Sequence, residues 1–120
     1  MMTIFETKII KIGDCALEAL QDNMMILFRD GGPADIEEYC FIHQHGELVK
    51  ELKSGATFQL GNQQFPVTAV GEVANLNLRE LGHITLIFDG QSHAELPGAV
   101  HVQGNVPASV ESDVIVKFID

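Results

Sequence analysis

Cysteines, basic residues and long apolar runs are all scarce in this sequence of 120 residues, and each scarcity excludes something. Two cysteines, Cys15 and Cys40, are too few for a disulfide framework and share no metal-type spacing. Each is expected to behave as a small apolar residue in a reducing compartment. Seven Lys and Arg stand against 17 Asp and Glu, a formal net charge of −10 with a pI of 4.7. A surface of that sign repels phosphate backbones and anionic membranes, and no Lys/Arg cluster offers a local exception. Nucleic acid and anionic membranes are therefore disfavoured as partners. The longest apolar runs reach about five residues, as at Ile84 to Phe88 with Thr85 inside, against the roughly 20 that a membrane span needs. The start, Met-Met-Thr-Ile-Phe-Glu, has neither the basic opening nor the apolar stretch of a secretory signal. A single acidic domain in the cytoplasm is the expectation.

What the chain does contain is strand pattern around a real core, because 46% apolar residues are too many for a disordered acidic chain. Short runs rich in β-branched and aromatic residues lie at Ile4–Ile12, Met24–Arg29, Tyr39–His45, Thr57–Leu60, Phe65–Val70, His83–Asp89, Ala99–Gln103 and Asp113–Ile119. Turn chemistry separates them, at Asp30-Gly31-Gly32-Pro33, Ser54-Gly55, Gly61-Asn62, Asp89-Gly90 and Leu96-Pro97-Gly98. This predicts an all-β fold: a compact antiparallel barrel or sandwich of about eight short strands with one or two short helices. Three segments compete for those helices. Asp14 to Asp22 carries Ala16, Leu17, Ala19 and Leu20 at helical spacing, Ala34 to Glu38 follows Pro33, and Glu72 to Leu81 is weakened by two asparagines. No long repeat, low-complexity tract or linker divides the chain.

The chemistry-bearing residues are histidines. His43 and His45 lie in one predicted strand, Tyr39-Cys40-Phe41-Ile42-His43-Gln44-His45-Gly46. Alternation would place both rings on one face, roughly 6 to 7 Å apart. Gly46 would let a backbone amide approach an anion. His83 opens a later strand, His101 sits within another, and His93 falls in a turn. Two chemistries suit the pair. Both rings could ligate one metal with a third ligand from elsewhere. Alternatively, one imidazole could act as nucleophile, with its neighbour bonding the group it accepts. The metal reading has a cupin-like form using His43, His45 and His101, supported by Pro97-Gly98-Ala99-Val100-His101 with Asn105. It lacks the carboxylate that a cupin would carry at Val49 or Lys50.

Longer motifs favour the nucleophile. Gly32 to Leu48, containing Glu37-Glu38-Tyr39-Cys40-Phe41-Ile42-His43-Gln44-His45-Gly46, resembles the glucitol/sorbitol-specific enzyme IIA component of the bacterial sugar phosphotransferase system. Phe65-Pro66-Val67-Thr68-Ala69-Val70-Gly71, Asn77-Leu78-Arg79-Glu80-Leu81-Gly82-His83 and Leu96-Pro97-Gly98-Ala99-Val100-His101-Val102 resemble the same family, so the likeness runs through the whole chain. The resemblance implies a compact all-β phosphotransferase component without a cofactor. Its phosphoryl acceptor matches His43, attacking through Nε2 while Nδ1–H is held by a carbonyl or carboxylate. The implied donor is phospho-HPr, and the implied recipient is the enzyme IIB part of a membrane glucitol transporter. Beside that acceptor, His45 is expected to support the phosphoryl oxygens, with His101, His83 and the Gly46 amide as further candidates. Since Lys and Arg are so few, imidazoles and amides are expected to offset the phosphoryl charge.

Overall fold

Eight strands close into a barrel in the computed structural model, which describes residues 2–120. They are β1 (Thr3–Ile12), β2 (Met24–Arg29), β3 (Phe41–His43), β4 (Thr57–Leu60), β5 (Gln63–Val70), β6 (Ile84–Phe88), β7 (Ala99–Val102) and β8 (Ile115–Ile119). Three short helices accompany them: α1 (Ala16–Gln21), α2 (Ala34–Glu37) and α3 (Ala74–Leu81). Around the barrel the order is β1-β3-β2-β6-β7-β5-β4-β8, closing back on β1. Closure removes exposed sheet edges and decides for a barrel over a sandwich. Six of the eight strand contacts are antiparallel, while β2–β3 and β6–β7 run parallel.

Side-chain parity explains the wall. Ile84, Leu86 and Phe88 of β6 are buried, while Thr85 and Ile87 between them are only partly so. Phe5, Phe58, Phe65, Phe88 and Phe118 share the interior, with ring centroids 5.1 to 6.5 Å apart along the chain of contacts. A smaller cluster of Phe28, Cys40 and Ile42 packs on the outer face of β2 and β3. Each helix candidate is occupied. Ala16 and Leu20 of α1, and Ala74 and Leu78 of α3, are the buried positions that dock the helices on the barrel. Pro33 caps α2 with an extended backbone rather than standing inside it. The strand expected over Tyr39–His45 is the one that shortens most. Its first two residues belong to the turn after α2, and it ends at His43 because His45 takes a left-handed φ of 70°.

The barrel is built twice over, which corrects the expectation of a chain without repeats. β1-α1-β2-β3-β4 and β5-α3-β6-β7-β8 follow the same path, α2 being an insertion in the first half. Ile12, Lys11 and Ile9 of β1 pair with Phe41, Ile42 and His43; Val70, Ala69 and Val67 of β5 pair with Val100, His101 and Val102, with the irregularity at the same step. Met25 pairs with Leu86 and Leu27 with Ile84, so an approximate two-fold axis passes between Ile26 and Thr85. The sequence preserves this only where backbone packing demands it: Gly13-Asp14-Cys15-Ala16 with Leu20, and Gly71-Glu72-Val73-Ala74 with Leu78. The Gly13 amide donates to Cys40 O at 2.9 Å and that of Gly71 to Ala99 O at 2.8 Å. A Cβ on Gly13 would lie 2.3 Å from Glu37 O, and one on Gly71 would lie 2.2 Å from Pro97 O. Elsewhere any apolar residue fills an inward position, and the likeness has no letters to survive in.

Candidate functional site

His43 ends β3 with its side chain fully buried at the end of the barrel wall. Groups from three segments converge on its ring. The His45 backbone N–H donates to Nδ1 at 3.0 Å, and Thr7 Oγ1 of β1 lies 3.1 Å from the same nitrogen. An amide can only donate, so Nδ1 is unprotonated and the ring proton sits on Nε2. Nε2–H donates to Gly82 O at 2.7 Å, in the turn between α3 and β6. This is the reverse of the expected arrangement, in which a carbonyl held Nδ1–H: here the carbonyl caps Nε2. Phe5 meets the ring edge-on, centroids 6.0 Å apart. Burial pushes the imidazole below its ordinary value of 6.5; the bond to Gly82 opposes this and neighbouring His45 adds to it. His43 is therefore neutral near pH 7, the form that has a lone pair to give.

His45 is beside it, with ring centroids 5.9 Å apart. The proximity expected from strand alternation holds, but its cause differs. The strand has already ended, and the left-handed turn at His45 swings its ring back toward His43. His45 Nε2–H donates to Arg79 O at 3.2 Å, leaving its Nδ1 buried without a partner. Gly82 is what lets the two rings approach the turn. A Cβ there would fall 2.9 Å from His43 Cε1, 2.9 Å from His45 Nδ1 and 2.8 Å from Arg29 Cβ, at a φ of +60°. Gly46 is pressed against β1, where a Cβ would lie 2.1 Å from Glu6 O, and it lines an open cavity with Gln44, His45, Glu47, Leu48 and Arg79.

The remaining histidines stay away from this cluster. His83 follows Gly82, yet its Nδ1–H donates to Leu27 O at 3.2 Å and its ring packs on Phe28, part of the outer cluster. His101 occupies the register position that corresponds to Ile42, on a strand separated from β3 by β2 and β6. Its Nδ1–H donates to Asp89 Oδ1 at 2.7 Å. Burial pushes the Asp89 carboxyl up, but the bonds from His101 and the Gln91 amide outweigh it and hold the group below its ordinary value. The cupin-like set of His43, His45 and His101 is thus not assembled, and no group of three His, Cys, Asp or Glu poised for a metal occurs among the described residues. His93 is exposed in its turn. Cys40 is buried and its thiol is pushed up to about 11, first by burial and then by the Glu37 charge, which fits its reading as an apolar residue.

Sequence reasoning missed four contributors. Thr7 was legible in principle, being the polar residue among the inward positions Phe5, Thr7 and Ile9 of β1. Gly82 stood inside the Asn77–His83 motif with no role of its own. Arg29 and Arg79, the two arginines of the chain, are 50 residues apart in sequence and formed no cluster to notice. Arg29 is the register partner of His43, and Arg79 lines the cavity beside His45. Arg29 therefore neighbours the acceptor candidate across the β2–β3 ladder, and Arg79, whose Nε lies 3.7 Å from Glu80 Oε1, lines the adjoining cavity.

No helix among the described residues is long and apolar enough to cross a membrane. A crystal structure titled as a PTS system IIA component, from Enterococcus faecalis, superposes with a TM-score of 0.85, covering 96% of this chain and 99% of that one at 20% identity. That likeness speaks for the barrel. Proteins named PTS system glucitol/sorbitol-specific EIIA component from Escherichia coli and Shigella flexneri are each 56% identical over 118 residues, 98% of this chain and 96% of theirs. The family described as PTS system glucitol/sorbitol-specific IIA component matches residues 4–116. With His43, His45 and Gly82 drawn together in a closed barrel and that match spanning nearly every residue, the chain belongs to the glucitol/sorbitol-specific IIA component family of the sugar phosphotransferase system.

Proposed function

We propose that this chain is a single-domain cytoplasmic phosphohistidine carrier. His43 accepts a phosphoryl group from phospho-HPr and passes it to the enzyme IIB component of a glucitol/sorbitol transporter. The observation that carries the reading is His43 itself: a neutral imidazole bonded only to uncharged groups, at a barrel end flanked by both arginines. A neutral ring is a competent nucleophile toward phosphorus, and the same ring is a good leaving group afterwards. The phosphoryl group adds about −1.5 to −2 of charge to a surface already strongly acidic, so local donors have to offset it. Arg29 and Arg79 supply positive charge. His45 stands beside the acceptor with a buried Nδ1 that has no partner among the described residues, the ring atom placed to meet the transferred group. The Gly46 amide is a further donor at the cavity wall. His83 and His101 act as structural imidazoles, each bonded within its own wall.

Incubation with phosphoenolpyruvate, enzyme I and HPr tests this. An acid-labile, base-stable adduct is expected on the wild type and absent from His43→Ala, with transfer slowed at least about tenfold in His45→Ala. Labelling that survives His43→Ala in a folded protein excludes His43 as acceptor.

A further inference from the structure

The bonding around His43 leaves a problem that the carrier role has to solve. At rest Nε2 bears the ring proton and is capped by Gly82 O, so it has no lone pair for phosphorus. Nδ1 has the lone pair, but it faces the barrel wall, where Thr7 and the His45 amide occupy it. Thr7 is 6% exposed and Phe5 1%, so that side leaves no room for a phosphoryl group. Among the described residues the one hydrogen-bond partner of Nε2 is the Gly82 carbonyl. The reactive form therefore carries its proton on Nδ1 and has the Gly82 carbonyl turned away. Among the described residues, the acceptor within hydrogen-bond reach of a proton on Nδ1 is Thr7 Oγ1. The His45 amide cannot change roles, whereas a hydroxyl both donates and accepts.

We propose that Thr7 is a positioning residue for phosphoryl transfer: its hydroxyl donates to bare Nδ1 of His43 at rest and accepts from Nδ1–H when Nε2 becomes the nucleophile. This rests on the carrier reading above. The ring releases its Nε2 proton to water and takes one up at Nδ1, so no net proton is consumed. The Nε2 lone pair then forms the new N–P bond as the P–N bond of the donor phosphohistidine breaks, the donor nitrogen keeping the electron pair. The product is a phosphoimidazolium whose Nδ1–H donates to Thr7 Oγ1. Its ring charge offsets part of the phosphoryl charge. His45, held in a left-handed conformation by its bond to Nδ1 at rest, is free to relax when that bond is lost.

Two readouts separate positioning from mere packing. Thr7→Val keeps the shape and removes the hydroxyl; Thr7→Ser keeps the hydroxyl. Transfer from phospho-HPr is expected to slow about tenfold in Thr7→Val and to recover in Thr7→Ser. The midpoint at which the phosphohistidine loses Nδ1–H, followed by 31P NMR, is expected to fall by about one pH unit in Thr7→Val and to return in Thr7→Ser. In the resting protein, 15N imidazole spectra are expected to show the proton on Nε2 in the wild type and in both variants. Phosphorus found on Nδ1, a resting proton on Nδ1, unchanged rate and midpoint in Thr7→Val, or failure of Thr7→Ser to restore them overturns the proposal. An unlabelled wild type removes the carrier reading itself, and the Thr7 role with it.

Discussion

His43 shows how much of this protein's chemistry is set by where one side chain's two nitrogens point. The ring is buried with one uncharged donor set on Nδ1 and one carbonyl on Nε2, and burial keeps it neutral. That has a consequence for stability. The folded value lies below the unfolded 6.5, so at mildly acid pH the unfolded chain binds more protons than the native one. Stability is then complete above the unfolded value and declines as pH falls from there toward the folded value. Thermal unfolding followed at several pH values across that window should show the wild type losing stability more steeply than His43→Gln, whose amide does not titrate. A parallel decline in both proteins would place the proton uptake elsewhere. The histidine pair was legible in the sequence because two like residues at alternate positions stand out. The tautomer was not, since it depends on Thr7, His45 N–H and Gly82 O arriving from three separate segments.

At the scale of elements, the two crossings from strand to helix, β1–α1 and β5–α3, carry the architecture. In each, a glycine amide bonds the incoming strand segment while its Cα lies against a carbonyl of the connection that leads to β3 or β7. Cys15 N–H to Glu38 O at 2.8 Å and Val73 N–H to Pro97 O at 3.0 Å repeat the match. Because the added Cβ would meet rigid backbone in both places, Gly13→Ala and Gly71→Ala should each destabilise by about 2 to 4 kcal/mol, and by similar amounts. Denaturant melts of the two variants check this. A cost below 1 kcal/mol at one site alone would show that the halves are not packed alike there. Strand positions and helix candidates were readable from local pattern, since period two and turn residues act over a few positions. The ends of β3 were not. The Tyr39–His45 run is apolar enough to continue as a strand, and only the φ of 70° at His45, fixed by its bond to the His43 ring, stops it.

For the whole molecule, duplication explains why there is one site and not two. The positions that correspond to Thr7, Arg29 and His43 in the second half are Phe65, Phe88 and Val102. Phe65 and Phe88 meet edge-on with centroids 5.1 Å apart, and Gly104 leaves room for Phe65, whose Cδ1 would lie 2.8 Å from a Cβ there. One half presents polar groups and an imidazole, while its counterpart is filled with aromatic side chains that hold the barrel together. Phe65→Ala should therefore cost about 3 to 5 kcal/mol of stability while leaving the labelling rate of His43 unchanged under conditions where the variant is folded. A slowed rate in folded Phe65→Ala would mean that the two ends are coupled. The sequence by itself determined an acidic all-β domain, its short strands, its helix sites and the prominence of His43 and His45, because composition and short-range periodicity act locally. Barrel closure, the hidden two-fold repeat, the approach of both arginines to the His43–His45 end of the barrel and the nitrogen of His43 that carries its proton were decided only in three dimensions. Each depends on contacts between segments far apart in the chain, and the few categories of residue that satisfy such contacts leave no pattern along it.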